Sequence, residues 1–116
     1  DKKTYHKIEL ENEAIAFGGL YRETIHKETG DVIHSASIIT LPPVEQWAEI
    51  HPKSMPLILP VDDATLINQW LAPSFSKVES FQDILVPAIR NNQVLTPIEK
   101  PSLWNPSGEP FTIPAE

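Results

Sequence analysis

His51 is the residue whose type and position best suit proton transfer. It follows Val44, Trp47, Ala48 and Ile50, whose spacing predicts a short helix over 43–50, opened by Pro42-Pro43 and closed by Pro52. A histidine at a helix C-terminus meets the partial negative charge of the last carbonyls, which favours the protonated ring by about 0.3–1 kcal/mol when exposed. Such a group can donate or accept a proton in a mechanism. The same position also suits a ring that only caps those carbonyls. Thr40 ends a strand pattern just before the two prolines, and its hydroxyl could contact a phosphate or simply close the strand. Lys53, two residues beyond His51, is either a second phosphate contact or a solvated loop lysine.

Other chemistries find less support. His6, His26 and His34 lack the spacing of a helical histidine pair, and simple pairing across a 27–31 hairpin does not set His26 against His34. With no convergent carboxylate they read as strand or surface histidines, and no metal or cofactor is expected. The chain has no cysteine, which removes disulfides, thiolate catalysis and cysteine-type zinc sites from this segment. Ser35, Ser37, Ser54 and Ser74 have no nucleophile-elbow context. Phe17-Gly18-Gly19-Leu20 is too short for a phosphate-cradling loop. Trp47 and Trp70 fall on apolar helical faces and are expected in the core. Trp104, in a proline-rich tail, either stacks a base or packs the tail onto the body.

The elements that must position these residues can be read from periodicity. Residues 4–10 are strand-prone, 11–13 form a turn, and 14–26 read as a long strand interrupted at Gly18-Gly19, where a bulge or a close backbone approach is expected. Residues 27–31 make a polar hairpin loop with Gly30 in the left-handed region, and 32–40 return. After the helix over 43–50, Met55–Leu59 is a short apolar strand. Asp62 or Asp63 caps a second helix bearing Leu66, Ile67, Trp70 and Leu71, stopped by Pro73. Ser76 to Glu79 has the form of a capping box for a third short helix with Val78, Phe81, Ile84 and Leu85. A final strand covers 93–98, and the tail beyond Lys100 is extended. The class is α+β, mostly antiparallel strands joined by short helices. So few strands leave sheet edges open, which points to a companion segment.

Size and composition fit a single domain. A chain of 116 residues buries roughly 65% of the surface that its unfolded form exposes. Hydrophobic residues are 41% and charged residues 22%, a globular balance. Twelve prolines favour extended connections over long helices. No window reaches the ~20 apolar residues of a membrane span, and the polar start does not read as a signal peptide. The lack of an initiator Met predicts that the chain begins inside a longer sequence. The net charge of −7 runs against a self-sufficient nucleic-acid binder, so any DNA contact needs positive charge from elsewhere.

Two stretches resemble the SOS-response-associated peptidase (SRAP) family. Ala16-Phe17-Gly18-Gly19-Leu20-Tyr21 is similar to that family's Phe-Ala-Gly-Leu-Trp strand. From Ser37 to Leu59 the family order recurs: a strand ending in Thr40, a short helix, Ile50-His51, a basic residue, and Met55-Pro56-Leu57-Ile58-Leu59. Trp70-Leu71 matches the next family helix, and Leu95 to Ile98 its closing strand, so the resemblance covers 4–98. Two departures stand out. Leu41-Pro42-Pro43 follows Thr40 where small residues are usual, and Ser54 precedes Met-Pro where the family has arginine, with Lys53 one place earlier.

The resemblance implies capture of abasic sites in single-stranded DNA. In the family an amino-terminal cysteine, freed by removal of the initiator Met, forms a thiazolidine with the ring-opened sugar. Its Asn, arginine and Glu partners lie in the N-terminal half. None of these is in this chain, so residues 1–116 are expected to be the C-terminal portion of the domain and inactive alone. His51 takes the place of the family's active-site histidine, with acid–base work at the abasic sugar. Thr40 falls near the DNA backbone, and Lys53 loosely matches a phosphate-contacting arginine. Peptidase and lyase-like activity, a monomeric state, no membrane, and a nucleoid-associated place in bacterial cytoplasm are implied with it. The alternative is a non-catalytic acidic module that meets a protein partner, which −7 and the missing nucleophile favour.

Overall fold

The computed structural model describes residues 4–73, 75 and 77–116. It is mostly antiparallel sheet with one α-helix, the α+β class that the periodicity predicts. Its central strand is β6, Gln93–Lys100. Gln93, Leu95, Thr96 and Ile98 are buried along it. β1, Tyr5–Leu10, pairs antiparallel with one edge, in register from Tyr5↔Ile98 to Leu10↔Gln93. The other edge is shared in tandem. β8, Phe111–Ile113, pairs with Gln93 to Leu95, and β7, Leu103–Pro106, pairs at Ile98 and Lys100.

Pro97 sits in this central strand, which ladder hydrogen bonding normally forbids. The tandem edge explains it. The Pro97 carbonyl accepts from Ser107 N at 2.9 Å, on the β7/β8 side. The proline nitrogen faces the same side, in the gap between the two partner strands, so no ladder bond is lost there. The tail is thus extended, as expected, but it folds back as two paired strands.

A second unit is the hairpin of β2, Gly19–Ile25, and β3, Val32–Ile38. His26 N and Asp31 O close its loop at 2.8 Å, and Gly30 has φ 74°, the left-handed geometry expected of it. The expected strand over 14–26 starts later, at Gly19. Ala16 to Gly18 pair instead with the 57–59 segment: Gly18 N donates to Leu57 O, and Leu59 N donates to Ala16 O, each at 2.8 Å. Gly18 marks the close approach, because a Cβ there would lie 2.5 Å from Leu57 Cδ2. The strand expected over 32–40 breaks at Ile39 and resumes as β4, Thr40–Leu41, paired with β5, Met55–Pro56.

The 43–50 helix is reduced to one 3-10 turn, Glu45–Trp47. Val44 occupies its N-cap and offers no side-chain acceptor, and Pro52 cannot extend it. α1, Ala64–Leu71, matches the second predicted helix, and Asp63 is the cap: its carboxylate accepts from Leu66 N at 3.1 Å. The third is a 3-10 turn, Val78–Phe81. Ser76 of the expected capping box lies outside the described residues, as do Ser74 and residues 1–3.

Two apolar clusters hold these pieces. Trp47, Met55, Ile89, Leu95 and Ile113 pack together beside β6. Leu57, Leu59 and Ile84 form the other, flanked by Leu66, Ile67, Trp70 and Phe81. Alternate residues of the 55–59 segment are buried, Met55 in the first cluster and Leu57 and Leu59 in the second, so one extended segment links both. Truncating a residue as enclosed as Leu57 typically removes about 2–5 kcal/mol. The hairpin lies outside both clusters, and all its residues from Leu20 to Ile25 and Val32 to Ile38 are exposed. The radius of gyration, 17.1 Å, exceeds the roughly 13 Å of a compact chain of this length.

Candidate functional site

Trp47 anchors the turn that carries His51. Its indole N–H donates to Gln93 Oε1 at 3.0 Å, inside the protein and on the central strand. The Trp47 carbonyl accepts from both Ile50 N and His51 N at 2.9 Å. His51 therefore ends the turn as expected. A single 3-10 turn does not build a macrodipole, so the predicted dipole stabilisation of the protonated ring does not apply.

The His51 ring is set by the next loop instead. Nδ1 lies 2.8 Å from the Ser54 carbonyl and 3.3 Å from Ser54 N. Nδ1 thus faces both main-chain groups of Ser54: a proton on it would be donated to the carbonyl, and a bare Nδ1 accepts from the amide, so the ring is held in one orientation with Nε2 directed away from this contact. The side chain is exposed, not sealed among aliphatic groups.

Pairing of Thr40 with Pro56 in β4–β5 brings Thr40 beside the segment that follows His51. Both residues line one open cavity of about 410 Å³, together with Tyr5, His6 and Ser54, and with Trp47 as an apolar wall. That volume lies within the usual range for small-ligand clefts. Lys53 is exposed in the bend after Pro52 and does not line the cavity.

Sequence reasoning set His6 aside as a strand or surface histidine and did not place it at the site. The two-residue period of β1 puts His6 and Ile8 on one face, and both line the His51 cavity and a second one of about 510 Å³ beside it. The His6 ring meets Phe111 edge-on at 6.0 Å, and its Nδ1 is buried with no hydrogen-bond partner among the described residues. A strand histidine flanked by tyrosine and lysine carries no pattern that would have singled it out. The second cavity also takes in Lys7, Phe17 and Trp104. Lys7 is held by Glu9 at 3.0 Å, a partly exposed pair that contributes little to stability.

The remaining histidines serve the hairpin. His26 Nδ1 accepts from Glu28 N at 3.2 Å and Thr29 N at 3.3 Å, which closes the loop. His34 stands opposite Glu23, not His26, and contacts its carboxylate at 3.7 Å. Among the described residues no three histidine, aspartate or glutamate side chains converge as a metal site. No helix among them is long and apolar enough to cross a membrane.

Compared with known protein families, residues 1–101 match the family model for SOS response associated peptidase (SRAP). Neither the curated proteins nor the solved structures give a match.

Proposed function

The chain belongs to the SOS response associated peptidase family, and from that membership we propose that it serves the capture of abasic sites in single-stranded DNA. Membership ties it to the DNA-damage response and to DNA in general. The finer reading rests on one observation, the shared cavity of His51 and Thr40, with the His51 ring oriented by the Ser54 main chain.

In this reading residues 1–116 form the C-terminal portion of the domain. The chain has no cysteine, so the attacking thiolate comes from sequence outside it. His51 moves a proton from the C1 hydroxyl of the abasic sugar to its ring oxygen as the C1–O4′ bond breaks, and the reverse transfer closes the ring when the thiazolidine link is released. Thr40 donates its hydroxyl to a backbone phosphate. Lys53 lies in the bend beyond, where it can meet the strand as it leaves the cavity. With −7 overall, most of the positive charge for DNA comes from the cysteine-bearing segment. The protein acts as a monomer at the bacterial nucleoid.

The test is His51→Ala in the full-length protein, with gel-resolved crosslinking to an oligonucleotide bearing one abasic site. Slower formation or slower release of the link, with folding intact, is the expected result. Unchanged kinetics remove His51 from the chemistry.

A second reading, an acidic protein-interaction module, draws on the net charge and on the exposed apolar residues Leu20, Ile25, Val32 and Ile33 of the hairpin. A Met-Cys-Gly start and a Tyr-Glu-Trp-like segment upstream of Asp1 would favour DNA capture over this reading.

A further inference from the structure

We infer that the cavity beside His51 is a stacking subsite for the nucleobase adjacent to the captured sugar, with Trp104 as its platform. The inference rests on the abasic-capture reading above and extends it to the neighbouring nucleotide.

The platform is held in place. Trp104 lies in β7, between the positions where Leu103 pairs with Lys100 and Pro106 with Ile98. Its indole N–H donates to the Pro101 carbonyl at 2.7 Å, so the polar edge is satisfied inside the turn. Within residues 1–116 Trp104 nevertheless remains 63% exposed, far more than a tail anchor packed on this body would be. An aromatic ring kept in one orientation and left open to solvent suits stacking on a ligand.

The cavity has the matching chemistry. Phe17 lines it with Trp104 and is itself about half exposed. Phe17 is fixed by its neighbours, because Gly18 is bonded to Leu57 on one side and accepts from Ile39 N on the other. The one lysine in the lining, Lys7, is already paired with Glu9. A flat uncharged group therefore fits this space better than a phosphate. The two cavities share His6, Ile8, Trp47 and Pro56 as walls, so a strand whose abasic sugar sits at His51 has its next base at the second cavity. Stacking of this kind tolerates any base, because each presents a π-face.

The test uses the full-length protein, fluorescence anisotropy and two oligonucleotides. One carries a single abasic site between ordinary bases. The other carries three consecutive abasic sites. Trp104→Ala is expected to weaken binding of the first by about tenfold and leave the second unchanged. Trp104→Phe retains most of the parent affinity for the first oligonucleotide. Equal affinity of Trp104→Ala and parent for the first oligonucleotide, or an equal loss for both, overturns the subsite. Should Trp104→Ala fail to fold by thermal melting, Phe17→Ala carries the same comparison from the other wall. If no abasic oligonucleotide is crosslinked but Trp104→Ala still weakens an unmodified strand, the capture reading fails and the stacking subsite stands.

Discussion

The Trp47 indole and the Gln93 side chain meet at 3.0 Å, and each residue is only 2% exposed. This bond ties the turn that ends in His51 to the central strand of the sheet. Gln93→Ala leaves a buried N–H without an acceptor, which removes about 1–3 kcal/mol of stability. The same change is expected to lower the crosslinking rate, because the turn loses its anchor. Trp47→Phe combined with Gln93→Leu removes both polar groups and recovers part of the loss. Denaturant unfolding of Trp47→Phe, Gln93→Leu and the double closes the cycle, and strict additivity would show that the pair is not coupled.

His51 is oriented by main-chain atoms of Ser54, not by the serine hydroxyl. Ser54→Ala should therefore leave stability within about 0.5 kcal/mol of parent and the crosslinking rate unaltered. A rate loss as large as that of His51→Ala would mean that the hydroxyl itself takes part.

Gly18 has no room for a methyl group, since Leu57 Cδ2 and Cγ would lie 2.5 and 2.9 Å from it. Gly18→Ala is expected to cost about 1–3 kcal/mol through overpacking. At Gly30 the space is open but φ is 74°, so Gly30→Ala costs about 1–2 kcal/mol of backbone strain. Gly30→Asn, which tolerates that region, should cost less. Thermal melts rank the three, and Gly30→Asn falling below Gly30→Ala would contradict the backbone argument.

Asp63 caps α1 through its side chain, by accepting from Leu66 N. Asp63→Ala should remove about 1 kcal/mol, and Asp63→Asn much less. Equal losses for the two would point to charge, not hydrogen bonding, as the cause.

Much of this architecture is legible from residue types. Asp63 before an apolar period, Gly30 in a polar loop and Gly18-Gly19 within a strand pattern each act through local backbone chemistry, and local chemistry is what a sequence displays. The failures share a different cause. Val44, Trp47 and Ile50 have helical spacing, yet Trp47 is fixed by Gln93, 46 positions away, and only one turn forms. The tail escaped recognition as strand because Pro101, Pro106 and Pro110 suggest unpaired backbone, yet it pairs with the edge of β6 opposite β1. At the site, His51 and Thr40 stood out through strand and helix ends. His6 did not, because its place depends on the pairing of β1 with β6.

The β2–β3 ribbon has no core of its own, and two-stranded ribbons are at best marginal in water. Its amides should exchange with solvent deuterium well before those of β6, and its tyrosine, Tyr21, should report a melting event earlier than the buried Trp47. Loss of ellipticity and the shift of tryptophan emission would then follow separate curves on heating. A single transition temperature would not describe the molecule.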